Sequence, residues 1–118
     1  RDLQNDMKKQ GRPWCIGKAF DHSAPIAPIT PKAKAGDINN ADLDVHVNGA
    51  VRQSSNVSKL IWNVAETIEH LSAAWELQPG DLIFTGTPEG VAAVVAGDTL
   101  VGRVGGLSTL TVKIDPAK

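Results

Sequence analysis

Residues 43–53 read LDVHVNGAVRQ, and this stretch decides the expected fold because it combines strand patterns with a tight-turn signal. Apolar Leu43, Val45 and Val47 alternate with polar neighbours, which is the two-residue period of a strand with one apolar face. The Asn-Gly pair that follows can adopt positive φ at both positions, as a two-residue hairpin turn requires. The sequence therefore predicts a β-hairpin over residues 42–53.

Downstream of the hairpin, the sequence predicts one helix and three short strands. Apolar residues recur every three or four positions between Leu60 and Leu71, which favours an amphipathic helix. The helix is expected within residues 56–77, with Asn56 or Ser58 as its cap. The strands are expected at residues 82–84, 99–104 and 107–114.

The residues ahead of the hairpin are expected to be mostly irregular. Residues 1–10 predict a short helix or turn that ends at the following glycine. Pro25, Pro28 and Pro31 then exclude a regular helix, because proline lacks the amide hydrogen and clashes with the preceding turn. The fold class predicted for residues 1–118 is a single domain that is mainly β with one convincing helix, an α+β fold.

The composition of the 118-residue chain is that of an ordinary globular protein, with 42% hydrophobic and 21% charged residues. Its formal charge is -1 and it has no run of basic residues, so neither nucleic acid nor a membrane surface is expected as a partner. No apolar stretch approaches the roughly 20 residues of a membrane-spanning helix. Cys15 is the only cysteine, which excludes a disulfide framework and favours the reducing cytoplasm.

Common nucleotide-binding and metal-binding motifs have no match. Five residues separate the two glycines ahead of Lys18, where a phosphate-binding loop needs four, and Ala19 replaces the required Ser or Thr. The three histidines share no metal-ligand spacing, and His46 and His70 are expected to be solvated. Nucleotide binding and a histidine metal site are therefore not expected.

Two stretches carry candidate ligand-binding residues. In FTGTPEGV, residues 84–91, glycine lets a ligand approach the backbone while threonine hydroxyls and free amides can hold an anion. A structural tight turn explains this composition equally well. In IGKAF, residues 16–20, Lys18 is expected on a strand-like segment, where it either pairs with a substrate carboxylate or is a solvated surface lysine.

Five blocks in order, RDLQ, GKAFDHSAPIAP, VNGAVRQ, LQPGDLIFTGTPEGV and GDTLVGRVGGLSTLTVKI, resemble the C-terminal part of the fumarylacetoacetate hydrolase family. The resemblance covers nearly the whole chain. It implies a mixed β-sandwich roll, truncated here at its N-terminus, and an enzyme that uses Mg²⁺ or Mn²⁺ on 1,3-dicarbonyl acids. The implied reaction is hydrolytic C–C cleavage of a small 2-oxo-acid substrate, with acylpyruvates such as fumarylpyruvate the expected class.

The resemblance also assigns roles to individual residues. The catalytic candidate is Lys18, whose charge would stabilise a developing enolate. The full set of candidates comprises Lys18, Gln4, Thr87 and Gly86 as substrate-binding residues, and Arg1 and Asp2 as supporting residues.

The metal ligands of the family, a Glu-x-Glu pair and an aspartate, stand ahead of the block that matches RDLQ. This chain has no Glu-x-Glu, so no metal ligand is assigned in it and the Mg²⁺ or Mn²⁺ ligands are expected upstream of Arg1. The chain is therefore expected to be a piece of a longer hydrolase, inactive by itself and homodimeric as the full-length protein. Two alternatives stay open: a 2-oxo-acid decarboxylase or isomerase of the same family, and a non-catalytic binding or dimerisation fragment.

Overall fold

The computed structural model describes residues 2–116, and within them two α-helices accompany a four-stranded antiparallel sheet. The helices are α1 (Asp2–Lys9) and α2 (Val64–Ser72), and the strands are β1 (Asp42–Val47), β2 (Ala50–Asn56), β3 (Thr99–Val104) and β4 (Leu110–Lys113). The order across the sheet is β2-β1-β3-β4. The strand-rich α+β architecture expected from the sequence is confirmed.

The predicted hairpin is formed by β1 and β2. Asn48 and Gly49 join the strands with φ angles of 51° and 84°, so both lie in the left-handed region that this turn requires. The second strand runs further than expected, to Asn56, because its last residue still pairs with Asp42 at the start of β1.

Strand β2 contains one extra residue, a β-bulge at Arg52. His46 of β1 pairs with Val51 of β2. The preceding residue of β1, Val45, pairs with Gln53, so the register skips Arg52. Residues opposite each other in a sheet share a face, and Val45 belongs to the apolar face of β1. The bulge therefore puts Gln53, rather than Arg52, on the apolar face.

The side chain of Asn48 ties the hairpin turn to the start of β3. Its amide nitrogen donates to Asp98 Oδ1 (2.8 Å), and its amide oxygen accepts from the backbone N–H of Thr99 (3.0 Å). The other oxygen of Asp98 accepts from the backbone N–H of Val95 (2.9 Å). The Val95 and Asn48 hydrogen bonds, with the charge of Arg52, hold the pKa of the Asp98 carboxyl below its usual 3.8.

The apolar face of the sheet is only partly covered. Val47, at 7% exposure, is the one buried hydrophobic side chain among residues 2–116. Large apolar side chains elsewhere remain open to solvent, and Ile61 is 96% exposed. Because so little apolar surface is buried in the described range, hydrogen bonds between the strands and their turns carry much of the local order.

The helix expected within residues 56–77 is shorter, and its predicted cap is wrong. Asn56 still belongs to β2, and its side chain accepts from Ser58 N–H to start a single 3₁₀ turn. Helix α2 begins after Asn63, whose Oδ1 accepts from Glu66 N–H (3.0 Å) while Glu66 Oε2 accepts from Asn63 N–H (2.8 Å). This reciprocal capping box fixes the start. No helix in the described range has the length and apolar character to cross a membrane.

The strand expected at residues 82–84 is wrong, since the segment 81–88 has no regular secondary structure. A strand needs a neighbour for its backbone hydrogen bonds, and within residues 2–116 none of the four strands pairs with this run. Its three apolar side chains are exposed. The last strand, Leu110–Lys113, is also shorter than the expected 107–114. Leu107 still belongs to the turn after β3, because its backbone N–H donates to the Val104 carbonyl.

The Asp98 carboxylate predicts a pH-dependent stability. Its lowered pKa means that its contribution is present above the usual value of 3.8 and is lost as pH falls through the lower folded value. We expect Asp98→Asn to lower the urea midpoint at about pH 6, with the gap to the wild type shrinking towards about pH 2.5. Tryptophan fluorescence measures both curves, and Asp21→Asn, in the loop ahead of the sheet, is the control. A gap of equal size at both pH values would contradict the expectation.

Candidate functional site

Three of the predicted site residues meet in one cleft of about 1030 Å³. We call it the lysine cleft; it is lined by Lys18, Ser23, Ala24, Phe84 and residues 86–91. Lys18 thereby lines the same cleft as Gly86 and Thr87, although these residues are far apart in the sequence.

Lys18 directly follows a single 3₁₀ turn, Cys15–Gly17, and its backbone N–H donates to the Cys15 carbonyl (2.9 Å). The expected strand-like setting is therefore wrong, because the chain closes a tight turn at this point. The side chain is exposed at the wall of the lysine cleft. An exposed ammonium pays no desolvation cost and can still meet an anion in the cleft.

Helix α1 packs against this turn through Gly17. A Cβ atom at Gly17 would lie 2.8 Å from the backbone nitrogen of Gln4 and 2.9 Å from its Cα, so glycine is required for this approach. Gln4 therefore lies beside the residue that precedes Lys18, but it does not line the lysine cleft.

Asp2 lies in the first turn of α1, and Arg1 lies outside the described residues. The Asp2 carboxylate accepts from the backbone N–H of Leu3 (2.9 Å), and this hydrogen bond lowers the pKa of the carboxyl from its usual 3.8. The predicted supporting role of both residues stays a prediction.

The threonine turn, which we define as residues 85–90, is held to β2 by Gln53. The Nε2 atom of Gln53 shares its two hydrogens among three acceptors, which are Thr87 Oγ1 (2.9 Å), the Pro88 carbonyl (2.8 Å) and the Glu89 carbonyl (3.1 Å). Sequence analysis missed Gln53, although it closes the VNGAVRQ block. A polar residue within a strand gives no local sign of a contact 34 positions away.

Gly90 makes a second contact between the threonine turn and β2. A Cβ atom at Gly90 would collide with the backbone carbonyl of Arg52 and lie 3.1 Å from Cγ of Gln53. Its φ of +94° is also a conformation that suits glycine. The turn is thus fixed against the bulge at two adjacent points.

A second cleft of about 1000 Å³, which we call the apolar cleft, adjoins the lysine cleft. The threonine turn separates them, because Gly86, Thr87 and Pro88 line both. The remaining walls of the apolar cleft come from the sheet and from the region around α2, and include Leu43, Val45, Val104, Leu60, Trp62 and Val64. Thr87 therefore borders the lysine cleft and a second cleft whose lining is mainly apolar, with Lys59 as its charged residue.

Of the two histidines expected to be solvated, His70 is exposed and His46 is half-buried, and both also have side-chain contacts. His46 Nε2 lies 3.0 Å from Asp44 Oδ1, and Arg103 Nη1 lies 3.4 Å from the same oxygen. The ring of His70 stacks on Trp62 with centroids 4.2 Å apart. Neither histidine lines either cleft. We therefore interpret their contacts as part of the packing of the sheet and of α2, and not as part of a site.

The described residues do not fit a metal site on their own. Across residues 2–116, His, Cys, Asp and Glu side chains nowhere gather in a group of three or more that could hold a metal ion. Among the residues that line the lysine cleft, Glu89 is the one carboxylate.

The family model described as "Fumarylacetoacetate (FAA) hydrolase C-terminal" matches residues 1–115. The chain therefore belongs to the fumarylacetoacetate hydrolase family. It is 48% identical over 118 residues to a fumarylpyruvate hydrolase of Ralstonia sp, and 36% identical over 115 residues to a mitochondrial oxaloacetate tautomerase of Homo sapiens. The crystal structure of fumarylpyruvate hydrolase from Pseudomonas aeruginosa in complex with Mn²⁺ and pyruvate matches with a TM-score of 0.92 and 51% identity.

These relatives are considerably longer than the chain. The matches cover 100%, 98% and 98% of this chain, but only 61% of the Ralstonia protein, 52% of the human protein and 49% of the Pseudomonas chain. The chain thus spans roughly half of the relatives it matches, and its fold is that of the corresponding half of the Pseudomonas structure.

The close approach of Gly90 to β2 predicts a specific loss of stability. Gly90→Ala should lower the thermal midpoint more than Gly97→Ala, because both residues have φ of +94° but open space surrounds Gly97. Left-handed backbone costs about 1–2 kcal/mol at either position. At Gly90 the collision with the Arg52 carbonyl adds to that cost, and it must push the threonine turn away from β2. Calorimetry compares the two variants, and equal midpoints would show that this contact is absent.

Proposed function

We propose that the protein containing this chain hydrolyses the C–C bond of acylpyruvates such as fumarylpyruvate, releasing fumarate and pyruvate. The observation that carries the proposal is that Lys18 and Thr87 line one cleft. A 2-oxo acid presents a carboxylate beside a ketone oxygen, and this arrangement matches a cation close to hydrogen-bond donors. The similarity to two fumarylpyruvate hydrolases supports this substrate class.

In this proposal Lys18 stabilises negative charge that develops on the pyruvate half of the substrate. Water adds to the acyl carbonyl, and when the C–C bond breaks its electron pair passes to pyruvate as an enolate, which then takes up a proton. A cation beside the enolate oxygen lowers the barrier because it interacts more strongly with the transition state than with the ground state. The Thr87 hydroxyl and the Gly86 backbone N–H supply donors for the substrate carboxylate.

A divalent cation, Mg²⁺ or Mn²⁺, is proposed as cofactor of the complete protein, supported by the Mn²⁺ in the similar Pseudomonas structure. Because residues 2–116 do not fit a metal site on their own, its ligands are proposed to lie outside them and no step is assigned to it. A cytoplasmic location and a homodimeric assembly are proposals that rest on the cysteine content and the family resemblance.

A second candidate activity is isomerisation of a 2-oxo acid, favoured by the 36% identity to an oxaloacetate tautomerase. Interconversion of keto and enol forms passes through the same kind of enolate. Lys18 and Thr87 would therefore serve both reactions unchanged, and the two activities differ in whether a C–C bond breaks.

Product analysis of the complete gene product tests the proposed hydrolysis. With Mg²⁺ or Mn²⁺ present, the ultraviolet absorbance of fumarylpyruvate should disappear while one pyruvate forms per substrate, measured with lactate dehydrogenase. Loss of absorbance without pyruvate would favour isomerisation. A substrate that stays unchanged with either metal would overturn both activities for this compound.

The charge of Lys18 predicts a kinetic signature. Lys18→Met removes the ammonium and keeps an unbranched chain, so kcat should fall roughly 100-fold, with a smaller change in KM, because the charge acts on the developing enolate. Lys34→Met, at an exposed lysine that lines neither cleft, is the matched control. Steady-state kinetics of the complete gene product measure both values. An unchanged kcat in the Lys18 variant would contradict the proposed role.

A further inference from the structure

We propose that Gln53 is a positioning residue that sets the direction of the Thr87 hydroxyl, so that this hydroxyl donates its proton to the carboxylate of a bound 2-oxo acid. The inference rests on the proposed function and deepens it. Gln53 lines the apolar cleft and does not line the lysine cleft, so it acts through Thr87 rather than on the ligand.

The orientation of the Gln53 side-chain amide follows from its partners. Its nitrogen lies 2.8 Å from the Pro88 carbonyl and 3.1 Å from the Glu89 carbonyl. Backbone carbonyls can only accept hydrogen bonds, so the end of the amide that faces them must be the NH₂ group. The opposite orientation would place a third oxygen against two carbonyl oxygens.

This orientation determines what Thr87 can do. The same nitrogen lies 2.9 Å from Thr87 Oγ1, so its two hydrogens are shared among three acceptors. An amide nitrogen cannot accept a hydrogen bond, so the hydroxyl oxygen is the acceptor in this contact. A hydroxyl that accepts from one side keeps its single O–H free to donate elsewhere. Because Thr87 lines the lysine cleft, a carboxylate there is an acceptor within its reach. Gln53 thus converts an ambivalent hydroxyl into a donor.

The β-bulge makes this arrangement possible. If β1 and β2 paired without the extra residue, Arg52 would stand opposite Val45 and Gln53 would point to the other face. The skipped residue brings a neutral amide to the apolar face, where its partners are two carbonyls and a hydroxyl. A guanidinium would bring a full positive charge to the apolar cleft at a desolvation cost.

A simpler role for Gln53 is to anchor the threonine turn through the two carbonyls alone. The two roles differ in one respect. If Gln53 only anchors the turn, its removal weakens ligand binding whether or not residue 87 carries a hydroxyl. If it orients the hydroxyl, its removal matters only when the hydroxyl is present.

A double-mutant cycle on the complete gene product separates the two roles. Calorimetry with saturating Mn²⁺ measures pyruvate affinity for the wild type, Gln53→Met, Thr87→Val and the double variant. We expect Gln53→Met to weaken pyruvate binding roughly 3- to 10-fold in the wild-type background and less than about 2-fold in the Thr87→Val background. Thr87→Ser, which keeps the hydroxyl, should restore the full sensitivity to Gln53→Met. The matched control is Gln78→Met, at an exposed glutamine that lines neither cleft.

The outcomes are distinct. An equal loss in both backgrounds, or no loss in either, overturns the positioning role and leaves the proposed function standing. A wild type that does not bind pyruvate overturns the proposed function and this role together.

A measurement that needs no Gln53 variant guards against misfolding. With Mg²⁺ as the metal, pyruvate should shift the ¹⁵N-resolved side-chain amide signal of Gln53 in the wild type and leave it unmoved in Thr87→Val. A signal that does not respond in the wild type overturns the positioning role.

Discussion

The extra residue in β2 is the constraint on which the candidate site depends. It reverses the face on which every later side chain of the strand lies, and so it aims the Gln53 amide at the threonine turn. The carbonyl of the bulged residue, Arg52, is also the atom against which Gly90 packs. The bulge in β2 thus supplies both contacts, from Gln53 and from the Arg52 carbonyl, that hold the threonine turn. The threonine turn has no regular secondary structure of its own, and these contacts to the edge strand β2 keep it in place.

The threonine turn is shared between two spaces of different chemistry. On one side Lys18 contributes a positive charge to the cleft that Thr87 also lines, and on the other side the sheet and the region around α2 contribute mainly apolar side chains. Lys18 is positioned by helix α1 and not by the sheet, because the 3₁₀ turn before it packs on α1 through Gly17. The site is assembled from segments that are distant in sequence.

Local signals account for what the sequence predicted correctly. The hairpin follows from an Asn-Gly turn between alternating residues, and β3 matches the expected 99–104. The helix start was wrong because Asn56 and Ser58 also suit a cap, and only pairing with β1 shows that the strand continues to Asn56. The residues around Lys18 left open whether it is a solvated surface lysine or a substrate-binding one, and only the family resemblance favoured the second. The bulge could not be predicted, since the alternation of residues in β2 does not show which residue the pairing with β1 skips. The contacts of Gln53 could not be predicted either, since their partners lie 34 to 36 positions away.

The Asn48-Gly49 turn carries a chemical liability as well as a fold signal. Glycine after asparagine leaves the peptide nitrogen unhindered, so the side-chain carboxamide is open to spontaneous deamidation through a cyclic imide. Deamidation would replace the Asn48 amide, which donates to Asp98, with a second carboxylate. The hydrogen bond between the two side chains would then be lost, and two negative charges would repel each other there. An ageing sample should therefore gain the mass of deamidation and loosen at the junction of hairpin and β3 before it loses the rest of the sheet.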